Sequence, residues 1–245
     1  MKNILVFTTI IILTILSSLL YFGDARGDSE AYKNLTFYLQ GENVELISPF
    51  ATRPFIPFIA SILEPVLGVE YSFAIINVLF VIGTSILIFY FYSSLYNNNL
   101  VGYISSLLFP VSFSIIFLGS RILVEAGTFF FIMLLIILIE KYTKNPKWYE
   151  FIFLGLLISM ALLMKVALAF ALIYLFLSLF NLENFNNKKI YYSFWFVVTI
   201  IISFLPLKIW QFLTKTQTET LISALLDNIK NNHLFSFKYF IAVLL

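Results

Sequence analysis

Long apolar runs separated by short polar breaks make up this chain, and within the runs the apolar positions are continuous and do not alternate. Ile4–Phe22 is uncharged and preceded by Lys2. At ~1.5 Å per residue it measures about 28 Å, close to a hydrocarbon core of roughly 30 Å. Its small-residue cleavage pattern is poor and further apolar runs follow, so it reads as an uncleaved anchor and not as a signal peptide. Tyr71–Tyr92 is a second span, with tyrosines at both ends as an aromatic belt would have them. Leu100–Leu118 reads as a third and Thr128–Ile139 as the core of a fourth. Phe151–Phe180 carries one charge, Lys165, at its middle. A single helix over it would be about 45 Å long. Two short helices with Lys165 at an outer turn avoid a mid-bilayer ammonium, which costs several kcal/mol. Ile190–Leu207 is the next span, ending near Pro206, and Phe240–Leu245 reads as the start of another.

The polar breaks set the topology. Lys141, Lys144 and Lys147 fall in Glu140–Glu150, which the positive-inside rule makes cytoplasmic, as it does Asn181–Lys189. Residues 23–70 are then the first outer loop and 208–238 the second. In the first loop, Gly27-Asp28-Ser29 reads as a helix start with Asp28 or Ser29 capping. Tyr32, Leu35 and Leu39 follow at helical spacing, and Gly41 is the stop. A second loop helix starts at Pro54 and carries an apolar stripe of Phe55, Phe58, Ile59, Ile62 and Val66. It is short and one-sided, which suits a helix lying along the interface. The expected fold is an all-α polytopic membrane protein, with seven to eight transmembrane helices and short interfacial helices in its first outer loop. Residues 1–245 form one such module, and further C-terminal spans are expected beyond Leu245.

Composition agrees. The chain is 61% hydrophobic and 11% charged, with a mean hydropathy of +0.97, against about 25% charged residues in soluble domains. A β-barrel would alternate. Net charge is +2 with no basic block, which excludes nucleic acid as an expected partner. There is no cysteine, so thiol chemistry and disulfides are excluded, and one histidine, His233, rules out a multi-histidine metal cluster. No cofactor is called, and a divalent ion held by carboxylates is left open.

The carboxylates are unevenly spread. Asp24, Asp28, Glu30, Glu42, Glu45, Glu64 and Glu70 put seven of the 13 acidic residues into residues 23–70. Asp28 is the first candidate for chemistry. A carboxylate at the bilayer surface can act as general base on an acceptor hydroxyl or amine; the same residue would also serve as a plain helix cap. Asp24 and Glu30 are its alternatives, and Tyr32 is the neighbouring aromatic. Arg53 suits a phosphate because its fork donates paired hydrogen bonds, or it snorkels to lipid headgroups. Arg121 and Glu125 stand four apart on one helical face, as a structural ion pair or as site residues. Lys165 could neutralise a phosphate or be an ordinary loop lysine. Asn34-Leu35-Thr36 matches a glycosylation tripeptide, for which chance is the better account.

The segments GDSEAYKNLTFYLQG, PFATRPFIPFIASIL, SRILVEAGTFFF and GLLISMALLMKVALAFAL, in this order relative to the spans, resemble the GT-C class of membrane glycosyltransferases. The likeness is to its protein mannosyltransferase and aminoarabinose transferase branch, over roughly residues 1–210. Asp28 with Tyr32 matches the acidic residue after the first span. Arg53-Pro54, Arg121 with Glu125, and Lys165 match further family positions, while the family's adjacent carboxylate pair is here Asp28-Ser29-Glu30. The resemblance implies transfer of a sugar from a polyprenyl-phosphate donor to an unidentified acceptor at the extracytoplasmic face of the cell membrane. In it Asp28 takes the acceptor's proton and cationic side chains stabilise the leaving phosphate. Two other readings are a non-catalytic GT-C-like module that binds lipid phosphate, and a small transporter using Arg121, Glu125 and Lys165.

Overall fold

The computed structural model describes residues 2–19, 28–47, 49–112, 115, 121–143, 146–180 and 189–215. Asp24, the end of the first run, Lys144, most of 181–189, His233 and Phe240–Leu245 lie outside them. Among the described residues the secondary structure is helical: α1 Lys2–Ser18, α2 Asp28–Leu39, α3 Phe55–Leu67, α4 Val69–Leu95, α5 Asn99–Leu108, α6 Glu125–Tyr142, α7 Trp148–Met164, α8 Phe170–Phe180 and α9 Lys189–Thr214. Two 3-10 turns, Phe50–Thr52 and Val166–Ala169, precede α3 and α8. Helices are what continuous apolar sequence must form in lipid, because they satisfy every backbone polar group internally. Buried hydroxyls obey the same rule: Thr36, Ser72, Thr84 and Ser85 each bond back to the carbonyl four residues earlier. By length and apolarity α4 and α9 can each cross a bilayer unaided.

The bundle runs up and down. Lys165, just past α7, pairs with Glu125 at the start of α6, and Tyr174 in α8 donates to Glu140 near the end of α6. So α7 runs antiparallel to α6, and the chain reverses at Lys165 and returns alongside α6. The backbone at Lys165 is extended (φ −158°, ψ 121°), which ends the helix there. Residues 151–180 are therefore two antiparallel helices, as the position of the lone ammonium led one to expect.

The α4–α5 turn also falls where the polar break predicts it. Asn97 takes the left-handed conformation (φ 50°), and Asn98 caps α5 by accepting from the Leu100 amide at 2.9 Å. The hairpin is tight: a Cβ on Gly102 would lie 1.9 Å from Ser93 Oγ and 2.5 Å from the Phe89 carbonyl.

Three expectations need correction. The run Leu100–Leu118 is not one continuous helix, because α5 stops at Leu108 and Phe109–Ser112 form a turn. Pro110 lacks the N–H that would continue the ladder and disfavours helix just before it. Conversely, α9 does not end near Pro206 but runs through it to Thr214. It is held against α7 by Thr199 Oγ1, which donates to the Phe151 carbonyl at 3.1 Å, and by Ser203 Oγ, which donates to Gly155 O at 3.3 Å. This small-residue ladder brings two apolar helices together without a hydrophobic driving force. The polar segment expected from Lys208 thus begins as helix. The stripe assigned to α3 is split: Phe55 and Ile59 are half-buried, whereas Phe58, Ile62 and Val66 form an exposed apolar edge. α3 faces the protein through Ile56, Pro57 and Ala60, which lie beside the stripe.

Gly102→Leu should separate α4 from α5, at a cost of ~1–3 kcal/mol for an overpacked contact. The check is the thermal unfolding midpoint in detergent; an unchanged midpoint would mean that the hairpin is looser than it is drawn.

Candidate active site

The site lies at the end of the bundle where α2, the starts of α3 and α6, the end of α7 and the end of α9 meet. α2 buries Ser29, Ala31, Tyr32, Leu35 and Thr36 and leaves Asp28 and Glu30 exposed in its first turn. Asp28 and Tyr32 are four apart and share a face. Tyr32 is 1% exposed, and its hydroxyl accepts a hydrogen bond from Arg53 Nη1 at 2.9 Å. Burial pushes the Tyr32 phenol well above its usual range; the Arg53 guanidinium opposes that shift, and the charges of Glu125 and Asp28 add to it. Tyr32 therefore stays a neutral phenol whose hydroxyl lies within the electrostatic reach of three charged groups.

Arg53 is set by its neighbours. The 3-10 turn Phe50–Thr52 places the Phe50 ring edge-on to Tyr32, with ring centroids 5.5 Å apart, and the Arg53 guanidinium 5.2 Å from the Phe50 centroid. The turn is tied from the far end of the sequence: Trp210 Nε1 donates to Ala51 O at 2.8 Å. Pro54 caps α3, and its carbonyl accepts the Phe58 amide at 2.8 Å.

Glu125 opens α6, where the positive end of the helix dipole favours a carboxylate. One oxygen accepts the Val124 amide at 3.0 Å and the other lies 3.4 Å from Lys165 Nζ. Lys165 sits at the negative end of α7. Gly127 lets these helices approach, since a Cβ there would meet Met164 at 2.6 Å and Ile56 at 3.0 Å. The pair is neither sealed nor free, with side chains 21% and 31% exposed.

Tyr32, Arg53, Glu125 and Lys165 are thus brought together, and Asp28, exposed one turn before Tyr32, lies within electrostatic reach of the Tyr32 hydroxyl. Arg121 is half-buried and, contrary to expectation, shares no helical face with Glu125, because 121–124 are irregular and the helix begins only at Glu125. Its backbone joins the cluster: Ser29 Oγ donates to Ile122 O at 3.3 Å, and Asn77 Nδ2 donates to Arg121 O at 2.7 Å and Leu123 O at 3.1 Å. Glu30 is exposed, and no described contact ties it to the others. Asn34 of the glycosylation tripeptide donates to Glu45 O at 3.3 Å, binding the end of the loop back to α2. No group of three or more His, Cys, Asp and Glu that could hold a metal stands among the described residues. Sequence reasoning passed over Asn77, Phe50 and Trp210, and gave Ser29 only as a helix cap. Asn77 did carry a signal, as a lone amide in the middle of an otherwise apolar run.

Beside this cluster lies an apolar groove of about 350 Å³. Its walls include Pro54, Phe55 and Phe58 of the α3 start, Leu163 of α7, and Ile209 and Trp210 of α9. Arg53 precedes the lining residue Pro54 in the chain, and Lys165 follows the lining residue Leu163 by two positions; the groove's own lining is apolar.

A bundle that is helical among the described residues, with two helices long and apolar enough to cross a bilayer and a polar cluster at one end, fits a membrane-embedded protein. The family described as dolichyl-phosphate-mannose-protein mannosyltransferase matches residues 56–222, more than half of the chain. The chain belongs to that family, whose members are membrane-embedded glycosyltransferases of the GT-C class. The match takes in Arg121, Glu125 and Lys165 and begins just after Arg53, leaving Asp28, Tyr32 and Arg53 outside it. No curated protein and no solved structure matches.

Arg53→Met should leave a buried phenol without its donor and cost ~1–3 kcal/mol, whereas Tyr32→Phe releases Arg53 to water and should cost ~0.5–1.5 kcal/mol. The double variant should lose less than the sum of the two. Thermal unfolding of the three purified variants checks the order; equal costs would mean that the bond contributes little.

Proposed function

We propose that this chain transfers a sugar from a polyprenyl-phosphate donor to an acceptor at the extracytoplasmic membrane face, with Asp28 as general base. Family membership supplies the class of reaction. The observation that supports the donor assignment is the apolar groove, whose lining includes Pro54 next to Arg53 and Leu163 of the helix that ends at Lys165. A polyprenyl chain suits the apolar groove between α3, α7 and α9. Its phosphate then lies toward Arg53 and Lys165, with Arg121 nearby. Arg53 spends one N–H on Tyr32 and keeps others for phosphate oxygens. Lys165 can exchange the Glu125 carboxylate for the phosphate.

The reaction forms a bond between the acceptor's heteroatom and the anomeric carbon, and breaks the bond from that carbon to the phosphate oxygen. The acceptor's proton passes to the Asp28 carboxylate. The electron pair leaves with polyprenyl phosphate, whose growing charge the cations stabilise. In-line attack inverts the anomeric configuration. Tyr32, neutral and buried, fixes Arg53 one helical turn from Asp28. Glu30, exposed on the same first turn, is the alternative base. A non-catalytic module that binds lipid phosphate would use the same groove and cations without the base, so the base is where the two readings part.

Asp28→Asn should lower transfer by ~10²–10⁴-fold, the range for losing a general base, with an unchanged unfolding midpoint. Full activity would reject Asp28 in that role and turn attention to Glu30. Ile209→Trp should fill the groove and raise KM for a long-chain polyprenyl donor while sparing a short-chain one. Equal effects on both donors would remove the groove from the donor site.

A further inference from the structure

Between α5 and α6 the chain carries irregular backbone through a buried position. Ile122, Leu123 and Val124 are 1%, 5% and 0% exposed, yet precede the helix that would satisfy their polar groups. Three consecutive carbonyls there accept from side chains of other helices: Ile122 O from Ser29, and Arg121 O and Leu123 O from the one amide of Asn77; Arg121 O also accepts the Leu123 amide at 2.8 Å. Asn77 is fully buried in α4, on the face that also buries Phe73 and Val81. Both partners are acceptors, so the nitrogen and not the oxygen must face them. Its Oδ1 is buried without a hydrogen-bond partner among the described residues. An amide kept in an apolar helix with its oxygen unsatisfied is costly, and what it gains is the hold on residues 121 and 123.

We propose that Asn77 is a positioning residue: it fixes the Arg121–Val124 backbone so that Arg121 and Glu125 are presented to the site. Any effect on transfer rests on the glycosyltransferase reading above, but the hold on the backbone does not. Glu125 follows the pinned stretch directly and accepts the Val124 amide. Losing the two Asn77 bonds frees the segment on the α4 side and leaves it the local bond from the Leu123 amide to Arg121 O and the Ser29 bond, which is longer at 3.3 Å.

The chain has no cysteine, so a single one reports cleanly. Arg121→Cys is combined with Asn77 or with Asn77→Leu, and its reaction with a charged, water-soluble maleimide is timed. The variant should react about tenfold faster, as expected for local opening of a segment. Equal rates in the two backgrounds overturn the proposal. Thr84→Cys, fully buried farther along α4, serves as the second reporter. It should stay unreactive in both backgrounds; if Asn77→Leu exposes it too, Asn77 is a general packing residue and the positioning role fails. In preparations that transfer sugar, Asn77→Leu should cost much less on top of Arg121→Ala than alone, and additive losses count against the proposal. A wild-type chain that transfers nothing sinks the glycosyltransferase reading, while the labelling rates still decide the role of Asn77.

Discussion

Polar backbone that leaves the helical ladder inside an apolar bundle has to be satisfied by something, and the site of this protein is built where that happens. Two stretches leave the ladder at the same end: Arg121–Val124, ahead of α6, and Lys165–Ala169, between α7 and α8. The first is held by side chains from α2 and α4. The second closes on itself, with the Lys165 amide bonding Ala161 O and its carbonyl accepting the Leu168 amide, both at 2.9 Å. Ile122, Leu123, Val124 and Leu168 are buried, so an alternative conformation of these residues would strand a donor or an acceptor at a cost of ~1–3 kcal/mol. The irregular backbone is therefore fixed, and Glu125 and Lys165 are fixed with it. A helix start facing a helix end also lets the dipoles favour the carboxylate on one side and the ammonium on the other.

The loop helices depend on the same end of the bundle. α2 has too few apolar residues to stand alone, and it is bound by contacts of different kinds. Tyr32 and Leu35 sink into the core, and Ser29 reaches Ile122 O. Gln40 donates to Ser61 O at 3.0 Å and to Glu64 at 2.9 Å on α3, and Lys33 lies 3.7 Å from Glu70 on α4. The surface pairs add little each; the buried tyrosine and serine set the register. A turn of α2 in either direction would remove Tyr32 from Arg53. Trp210 closes the arrangement from the other side, so the position of Arg53 depends on α9, the last helix described in the sequence.

What the sequence made legible follows from the kind of signal each element carries. Apolar runs bounded by polar breaks located α1, α4, α7 and α8, and the lone Lys165 marked the reversal because an ammonium has few tolerable places in such a run. A helix starting near Asp28 and stopping just before Gly41, a left-handed glycine with φ +92°, was visible, although Ser29, read as a possible cap, lies inside the helix and reaches Ile122 O. The extent of α5 and α9 was not, because proline ends one helix and sits inside the other. At Pro110 nothing described restores the ladder, whereas around Pro206 the hydroxyls of Thr199 and Ser203 and the indole of Trp210 hold the helix to its neighbours. Those are tertiary bonds, with partners 48 and 159 residues away. Of the site, the charged members stood out against an apolar background. Their supports did not: Asn77 and Phe50 take their meaning only from what they touch, and the bond from Ser29 to Ile122 O could not be read from its place as a possible cap.

Each cation of the cluster that can be followed has a partner, and the partners differ in strength. Glu125 holds Lys165 with a full charge at 3.4 Å, whereas Tyr32 offers Arg53 only the lone pair of a neutral phenol. A guanidinium bonded to a phenol keeps nearly its whole charge for another anion. It is oriented without being neutralised, which is the condition for binding phosphate strongly when one arrives. An ammonium already paired with a carboxylate must give up that contact first, so its net gain from a phosphate is smaller. On the proposed reading, ground-state binding of the donor falls mainly to Arg53. Lys165 then contributes most where the phosphate gains charge as the glycosidic bond breaks, because there the exchange with Glu125 becomes favourable. Loss of Arg53 would accordingly appear in KM and loss of Lys165 in kcat, a division of labour that follows from the two partners and not from the cations themselves.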